Sequence, residues 1–223
     1  MRKSLLANAL AKVTTGILLV GLLLFLPAGT LSWTNGWLFM GILFVPMVIA
    51  GFVMLKKNPS LLESRLRAKE EQAEQRSVVA WSGLMFIGGF VAAGLSYRFD
   101  FLQFPKGFVI AGVVLFLLSY VLYAEVLREN AYLSRIIEVQ EGQTVVDTGL
   151  YGIVRHPMYA ATVLLFLSMP LVLGSLLSFV IFLIYPFLIA KRIRNEEDVL
   201  EEGLLGYREY KQKVRWKILP WIW

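Results

Sequence analysis

Arg155, His156 and Pro157 stand together in the stretch GLYGIVRHPMY, residues 149–159, and His156 is the only histidine in the chain. Pro157 suits the first turn of a helix, where its missing N–H costs nothing and its φ is already helical. Arg155 and His156 then sit at the mouth of that helix. Free backbone N–H groups and a partial positive charge, together with a guanidinium, make such a mouth a receiver for an anionic group. Downstream, Arg192 and Glu196 are four residues apart and share a helical face. Tyr151, Tyr159, Glu197 and the loop Gln143, Thr144, Val145 and Val146 complete a cluster suited to a zwitterionic cofactor beside an anionic substrate group.

Other chemistries lack their residues. There is no cysteine, which removes disulfides, thiolate metal sites and a cysteine nucleophile. With one imidazole, no transition-metal or haem site is expected. The sequence holds no GxGxxG after a strand, no GxxxxGK[ST], no HExxH and no GxSxG.

The elements that must position this cluster are membrane helices. Of 223 residues, 57% are hydrophobic and 17% charged, and the apolar residues come in blocks. The runs 13–31, 36–55, 78–95 and 107–127 each approach the length of about 20 residues that a span needs. The run 159–190 is too long for one span and is interrupted by Pro170 and by Gly174 and Ser175, so it reads as two short helices in a tight hairpin. With the N-terminus inside, 20 of the 22 Lys and Arg residues fall on the cytoplasmic side, leaving Arg98 and Lys106 outside. A single crossing by the fifth run would put the eight C-terminal charges on the wrong side. The expectation is an all-α polytopic bundle of about six crossings, with both termini cytoplasmic. The net charge of +6 fits that rule and contact with anionic lipid, and gives no reason to expect nucleic acid.

In chain order, residues 1–127 read as membrane anchor helices. Trp33 and Trp37 suit the interfacial aromatic belt. A surface helix is expected at about 58–76, and Gly83, Gly88, Gly89 and Gly94 would allow close helix contact. Glu125 is the one acid within an apolar span and lies near its inner end. Residues 128–223 read as the catalytic region, beginning with a loop whose turns at Glu141-Gly142 and Thr148-Gly149 frame 143–146. Such a loop can fold back as a lid on a polar ligand. Tyr207, Tyr210, Trp216, Trp221 and Trp223 are expected to anchor the tail at the membrane surface.

The combination RHPMY, then RIRNEEDVLEE, then GYREYKQKVR resembles the isoprenylcysteine carboxyl methyltransferase family, a branch of membrane methyltransferases that includes phospholipid methyltransferases. The resemblance covers about 125–223. It implies methyl transfer from S-adenosyl-L-methionine, held by C-terminal elements rather than by a Rossmann domain. Carried over by motif, Gln143, Thr144, Val145 and Val146 line the cofactor with their backbone. Tyr151, His156, Pro157, Met158 and Tyr159 complete the pocket, and Glu196 takes the methionyl or ribose end. Arg192 orients the substrate carboxylate, with Arg155 beside it in the catalytic set and Glu197 on the substrate side. Eukaryotic members space the glycine and first tyrosine further apart than Gly206 and Tyr207 do here.

The chemistry agrees with these roles. A carboxylate is already a nucleophile at neutral pH, and an arginine holds it bidentately without moving a proton. An amine acceptor would instead need a base such as Glu125, Glu196 or His156. The leading expectation is O-methylation of a lipophilic or lipid-anchored carboxylate at the cytoplasmic face of the membrane. Phospholipid N-methylation and an NADPH-dependent sterol-type reductase stand as alternatives.

Overall fold

The structure is a computed structural model and describes residues 2–66, 73–130, 132 and 139–223. Among these residues the chain forms nine α-helices: α1 (Arg2–Ala28), α2 (Thr34–Lys57), α3 (Pro59–Leu66), α4 (Ala73–Arg98), α5 (Lys106–Glu129), α6 (Pro157–Leu173), α7 (Leu176–Phe182), α8 (Tyr185–Gly203) and α9 (Tyr207–Lys213). No β-strand is present among them, so the expected all-helical membrane bundle is what forms.

Among the described residues, five segments are long and apolar enough to cross a bilayer: Ser4–Ala28, Thr34–Lys57, Arg76–Arg98, Lys106–Glu129 and Leu176–Gly203. The sixth apolar helix, α6, has 17 residues and spans roughly 26 Å at the helical rise. The expected hairpin is therefore present, with a longer returning leg. Gly174 ends α6 at φ 77°, and Ser175 caps α7 by accepting a hydrogen bond from the Ser178 amide at 3.1 Å. Pro186 then follows the short break between α7 and α8, in the first turn where its missing donor is harmless. Beyond that point α8 runs without interruption from apolar residues into the polar RIRNEEDVLEE stretch.

Small residues let the helices close on one another. A Cβ on Gly94 would lie 2.5 Å from the Leu24 carbonyl oxygen, and one on Gly112 would lie 2.7 Å from Leu171 Cβ. These two glycines set the packing of α4 on α1 and of α5 on α6. Gly89 serves α7 in the same way, under the Phe182 ring. Gly83 and Gly88, expected to do likewise, face open space. The interior between α4, α6 and α7 is filled by Phe86, Phe90, Phe166 and Phe182 in edge-on and tilted contacts.

Two further expectations change. Trp33 is buried and stacked on Tyr97 with ring centroids 5.0 Å apart, whereas Trp37 is half exposed and donates to the Leu31 carbonyl. Only Trp37 therefore has the half-wet position of a belt residue. The surface helix expected at 58–76 is seen as α3, with residues 67–72 outside the described residues and α4 already running from Ala73.

Candidate functional site

The two ends of the hairpin remote from its turn meet. Tyr159, in the first turn of α6, donates its hydroxyl to Glu196 Oε2 of α8 at 2.5 Å and accepts from Arg192 Nε at 2.9 Å. Arg192 and Glu196 do share a helical face as their spacing dictates, with the tyrosine oxygen from the other leg between them. A cavity of about 570 Å³ opens beside this bridge. Its wall includes Gln143, Thr144, Val145, Val146, Tyr151, Arg155, His156, Met158, Tyr159, Arg192 and Glu196. Eleven side chains named from the sequence thus converge on one space.

The loop reaches the cavity because glycines and side-chain caps shape it. Gly142 and Gly149 both adopt positive φ, 70° and 51°. At Gly149 the reason is explicit: a Cβ would fall 1.4 Å from a Glu129 carboxylate oxygen, and that carboxylate accepts from the Leu150 amide at 2.9 Å. Gln143 Oε1 accepts from the Gln140 amide, and Tyr132 donates to the Gly142 carbonyl. Residues 149–152 then form one 3₁₀ turn that buries Tyr151. Asn130 donates to the Tyr151 hydroxyl at 3.0 Å, and Tyr210 donates to the Tyr151 carbonyl at 2.7 Å.

Below the cavity lies a buried charge cluster. Glu197 is 3% exposed and accepts from Arg155 Nε at 2.8 Å, with Lys217 Nζ at 3.0 Å and His156 Nε2 at 3.1 Å. An ionised carboxylate only accepts, so the imidazole nitrogen facing Glu197 carries the hydrogen and Nδ1 is turned toward Glu196 Oε1, 3.8 Å away. Arg155 Nη1 donates to the carbonyls of Val214 and Arg215, and the amides of Arg155 and His156 donate to Trp216 and Lys217. The C-terminal tail is thereby strapped to the mouth of α6.

This geometry revises several assignments. Glu197, read as a substrate residue, is not part of the cavity wall and instead holds Arg155, His156 and Lys217 together. Arg155 lines the cavity, yet its Nε and Nη1 are committed to Glu197 and the tail, so it positions the site more than it receives an anion. Pro157 occupies the first turn of α6 as expected, buried and outside the wall. Tyr207 and Tyr210 are not surface anchors: they are 4% and 5% exposed and line the cavity. Trp221, 84% exposed, has the surface position expected of it. Glu125 pairs with Arg128 at an exposed end of α5 and does not line the cavity.

Burial pushes the phenols of Tyr207 and Tyr210 above their ordinary value of 10.0, with Glu197 and Glu196 adding to the rise at Tyr207 and Tyr151 at Tyr210. Both remain neutral hydroxyls at physiological pH. Tyr210 uses its hydrogen on Tyr151, while the buried Tyr207 hydroxyl has no hydrogen-bond partner among the described residues. A buried donor without a partner is costly, and here it sits at a cavity wall where a polar ligand can satisfy it.

The other wall was hidden from sequence reasoning. Val78, Val79, Ser82, Gly83 and Phe86 of α4 face Thr162 and Phe166 of α6 and Tyr185 and Ile189 of α8 across the cavity. In the sequence these residues are indistinguishable from lipid-facing or packing positions. The break in the small-residue pattern between Gly83 and Gly89 carried no signal without the partner helix.

A hairpin-based membrane helical bundle with a polar site between the two ends of the hairpin is the class that this fold and cavity define. The sequence profile of the isoprenylcysteine carboxyl methyltransferase (ICMT) family matches residues 107–202, from the start of α5 to the end of α8. The fold is similar to a solved structure described as the eukaryotic intramembrane Ras methyltransferase ICMT without a monobody. The TM-score is 0.56 at 19% identity, over 92% of this chain and 74% of that one. The profile match spans 96 of the 223 residues, and at 19% identity the structural likeness is one of fold.

Proposed function

We propose that this protein is an S-adenosyl-L-methionine-dependent methyltransferase that O-methylates the carboxylate of a lipophilic, isoprenylcysteine-like substrate at the cytoplasmic face of the membrane. The observation that carries the reading is the meeting of Arg192, Tyr159 and Glu196 at the edge of a cavity lined by polar side chains of the hairpin ends and α9 and by mostly apolar side chains of α4. Residues 128–223 form the catalytic region in this reading, and the anchor helices of 1–127 contribute the apolar wall through α4.

The polar groups of the wall fit the cofactor. Glu196 offers a carboxylate for an ammonium or ribose hydroxyl, the loop 143–146 offers backbone groups, and the Tyr207 hydroxyl is a buried donor awaiting an acceptor. Tyr151, Met158 and Tyr159 supply polarizable surface for a cation. When bound, the cofactor supplies an electrophilic methyl group on a sulfonium. Arg192 then holds the acceptor carboxylate and fixes its approach, while Tyr159 fixes Arg192. Transfer would form a new O–CH₃ bond on the carboxylate that Arg192 holds as the S–CH₃ bond broke, with the bonding pair left on sulfur and no proton to be moved by the protein. The reading therefore requires no general base. Burial of the site between α4, α6 and α8 keeps water from competing for the methyl group.

The cytoplasmic assignment rests on the sequence pattern, in which 20 of the 22 basic residues fall in segments on one side when the N-terminus is put inside. The test is incubation of the purified protein with methyl-labelled cofactor and an N-acetyl-S-prenylcysteine. A methyl ester releases its label in mild base and an N-methyl group does not, so base lability separates carboxyl from phospholipid amine methylation. A thermal shift with S-adenosylhomocysteine and none with NADPH separates the reading from a reductase.

A further inference from the structure

The proposed reaction needs room for an apolar chain, and α4 contains two glycines with no packing role, of which one lines the cavity. Gly89 and Gly94 on that helix lie against Phe182 and the α1 backbone, where a side chain does not fit. Gly83 is different: a Cβ there meets nothing within 4 Å, and the residue lines the cavity. Gly88 is equally open, and what sets Gly83 apart is its place in the cavity wall, where a side chain would take up cavity space. Arg192, Tyr185, Ile189, Gly83 and Phe86 line one cavity together with Val79, which is 55% exposed and lies in the apolar segment Arg76–Arg98 that is long enough to cross a bilayer. An exposed wall residue on such a segment is where an apolar chain can leave the cavity.

We infer that Gly83 sets the bulk of the acceptor's apolar chain, the missing side chain leaving a slot on α4 through which that chain passes from Arg192 toward the bilayer. The inference rests on the methyltransferase reading for the identity of the acceptor. It does not rest on turnover, because the slot binds the chain whether or not the methyl group moves. Steric closure is the discriminating force: within a bilayer the chain gains little from apolar burial alone, so selectivity comes from what the slot refuses.

The experiment compares the wild type with Gly83→Leu, the milder Gly83→Ala, and Gly88→Leu. Gly88 is also open on α4 but does not line the cavity, so it controls for loss of a helix glycine. N-acetyl-S-geranyl-, S-farnesyl- and S-geranylgeranyl-cysteine are titrated in detergent by competition binding, and methyl transfer is measured in parallel. Gly83→Leu is expected to shift the preference toward the geranyl compound by about tenfold, with Gly83→Ala shifting it the same way by less. Gly88→Leu is expected to keep the wild-type profile. An unaltered chain profile in both Gly83 variants, an equal shift in Gly88→Leu, or no binding of any of the three compounds to the wild type overturns the inference. Chain-dependent binding that Gly83→Leu curtails, without methyl transfer by the wild type, leaves the slot standing and overturns the reaction.

Discussion

Arg155 and Glu197 form a salt bridge of 2.8 Å with side chains only 4% and 3% exposed, and through it the mouth of α6, the middle of α8 and the C-terminal tail are tied together. Removing Glu197 leaves Arg155 charged and buried, which costs about 3–5 kcal/mol, whereas removing Arg155 costs less because Lys217 and His156 still face Glu197. Arg155→Ala and Glu197→Ala should each lower the unfolding temperature in detergent, Glu197→Ala more markedly. The double variant should be less destabilised than the sum of the two, since neither charge is then left alone. A strictly additive double variant contradicts the account.

Cofactor affinity should follow the polar groups of the cavity wall. His156→Ala and Glu196→Ala each remove a group that the proposed cofactor meets, and calorimetry with S-adenosylhomocysteine should show losses on the order of tenfold or more. Tyr207→Phe deletes only the unpartnered hydroxyl and should weaken binding by roughly three- to tenfold without lowering stability. Tyr210→Phe, in contrast, breaks the bond to Tyr151 and should lower stability as well.

The turn at Gly149 is intolerant of a side chain for two independent reasons, its φ of 51° and the Glu129 oxygen where a Cβ would lie. Gly149→Ala should cost more than 1 kcal/mol of local stability, displace the 143–146 loop and raise the dissociation constant for S-adenosylhomocysteine. Hydrogen exchange at residues 143–152 should accelerate. Wild-type exchange there would contradict the role given to the turn.

Lys213 donates to Asp147 at 2.9 Å, tying the loop to α9, and this hydrogen bond and charge hold the Asp147 carboxyl below its ordinary value of 3.8. A carboxyl with a depressed folded-state value contributes above its unfolded value and loses that contribution as pH falls through the folded one. The clamp is thus complete above about pH 4 and absent in stronger acid. Both groups are exposed, so salt screens them. Cofactor affinity near neutral pH should be flat with pH for this pair, and Asp147→Asn should remove what salt dependence the clamp contributes.

How much of this was legible in the sequence follows from how local each signal is. The hairpin could be read because Pro170, Gly174 and Ser175 interrupt a run too long for one span, and because the basic residues must return to one side. The convergence of His156, Tyr159, Arg192 and Glu196 then followed from helix periodicity and hairpin closure. Glu197 was misplaced because it neighbours Glu196 in sequence but projects roughly 100° away around α8, into the cluster with Arg155 and Lys217. Tyr207 and Tyr210 suit a membrane interface by composition, and only the packing of α9 with Leu204 against Val139, Val145 and Leu200 buries them. The α4 wall depends on a contact between distant segments, for which periodicity supplies nothing.

The most direct test of the central claim is the Arg192→Ala variant, assayed with methyl-labelled cofactor and an N-acetyl-S-prenylcysteine alongside calorimetry with S-adenosylhomocysteine. The account predicts that the wild type forms a base-labile methyl ester. It predicts that Arg192→Ala keeps cofactor affinity within about threefold while turnover falls on the order of a hundredfold, as expected when a group that orients the acceptor is removed. Wild-type turnover in Arg192→Ala, or absence of any base-labile product from the wild type, would contradict it.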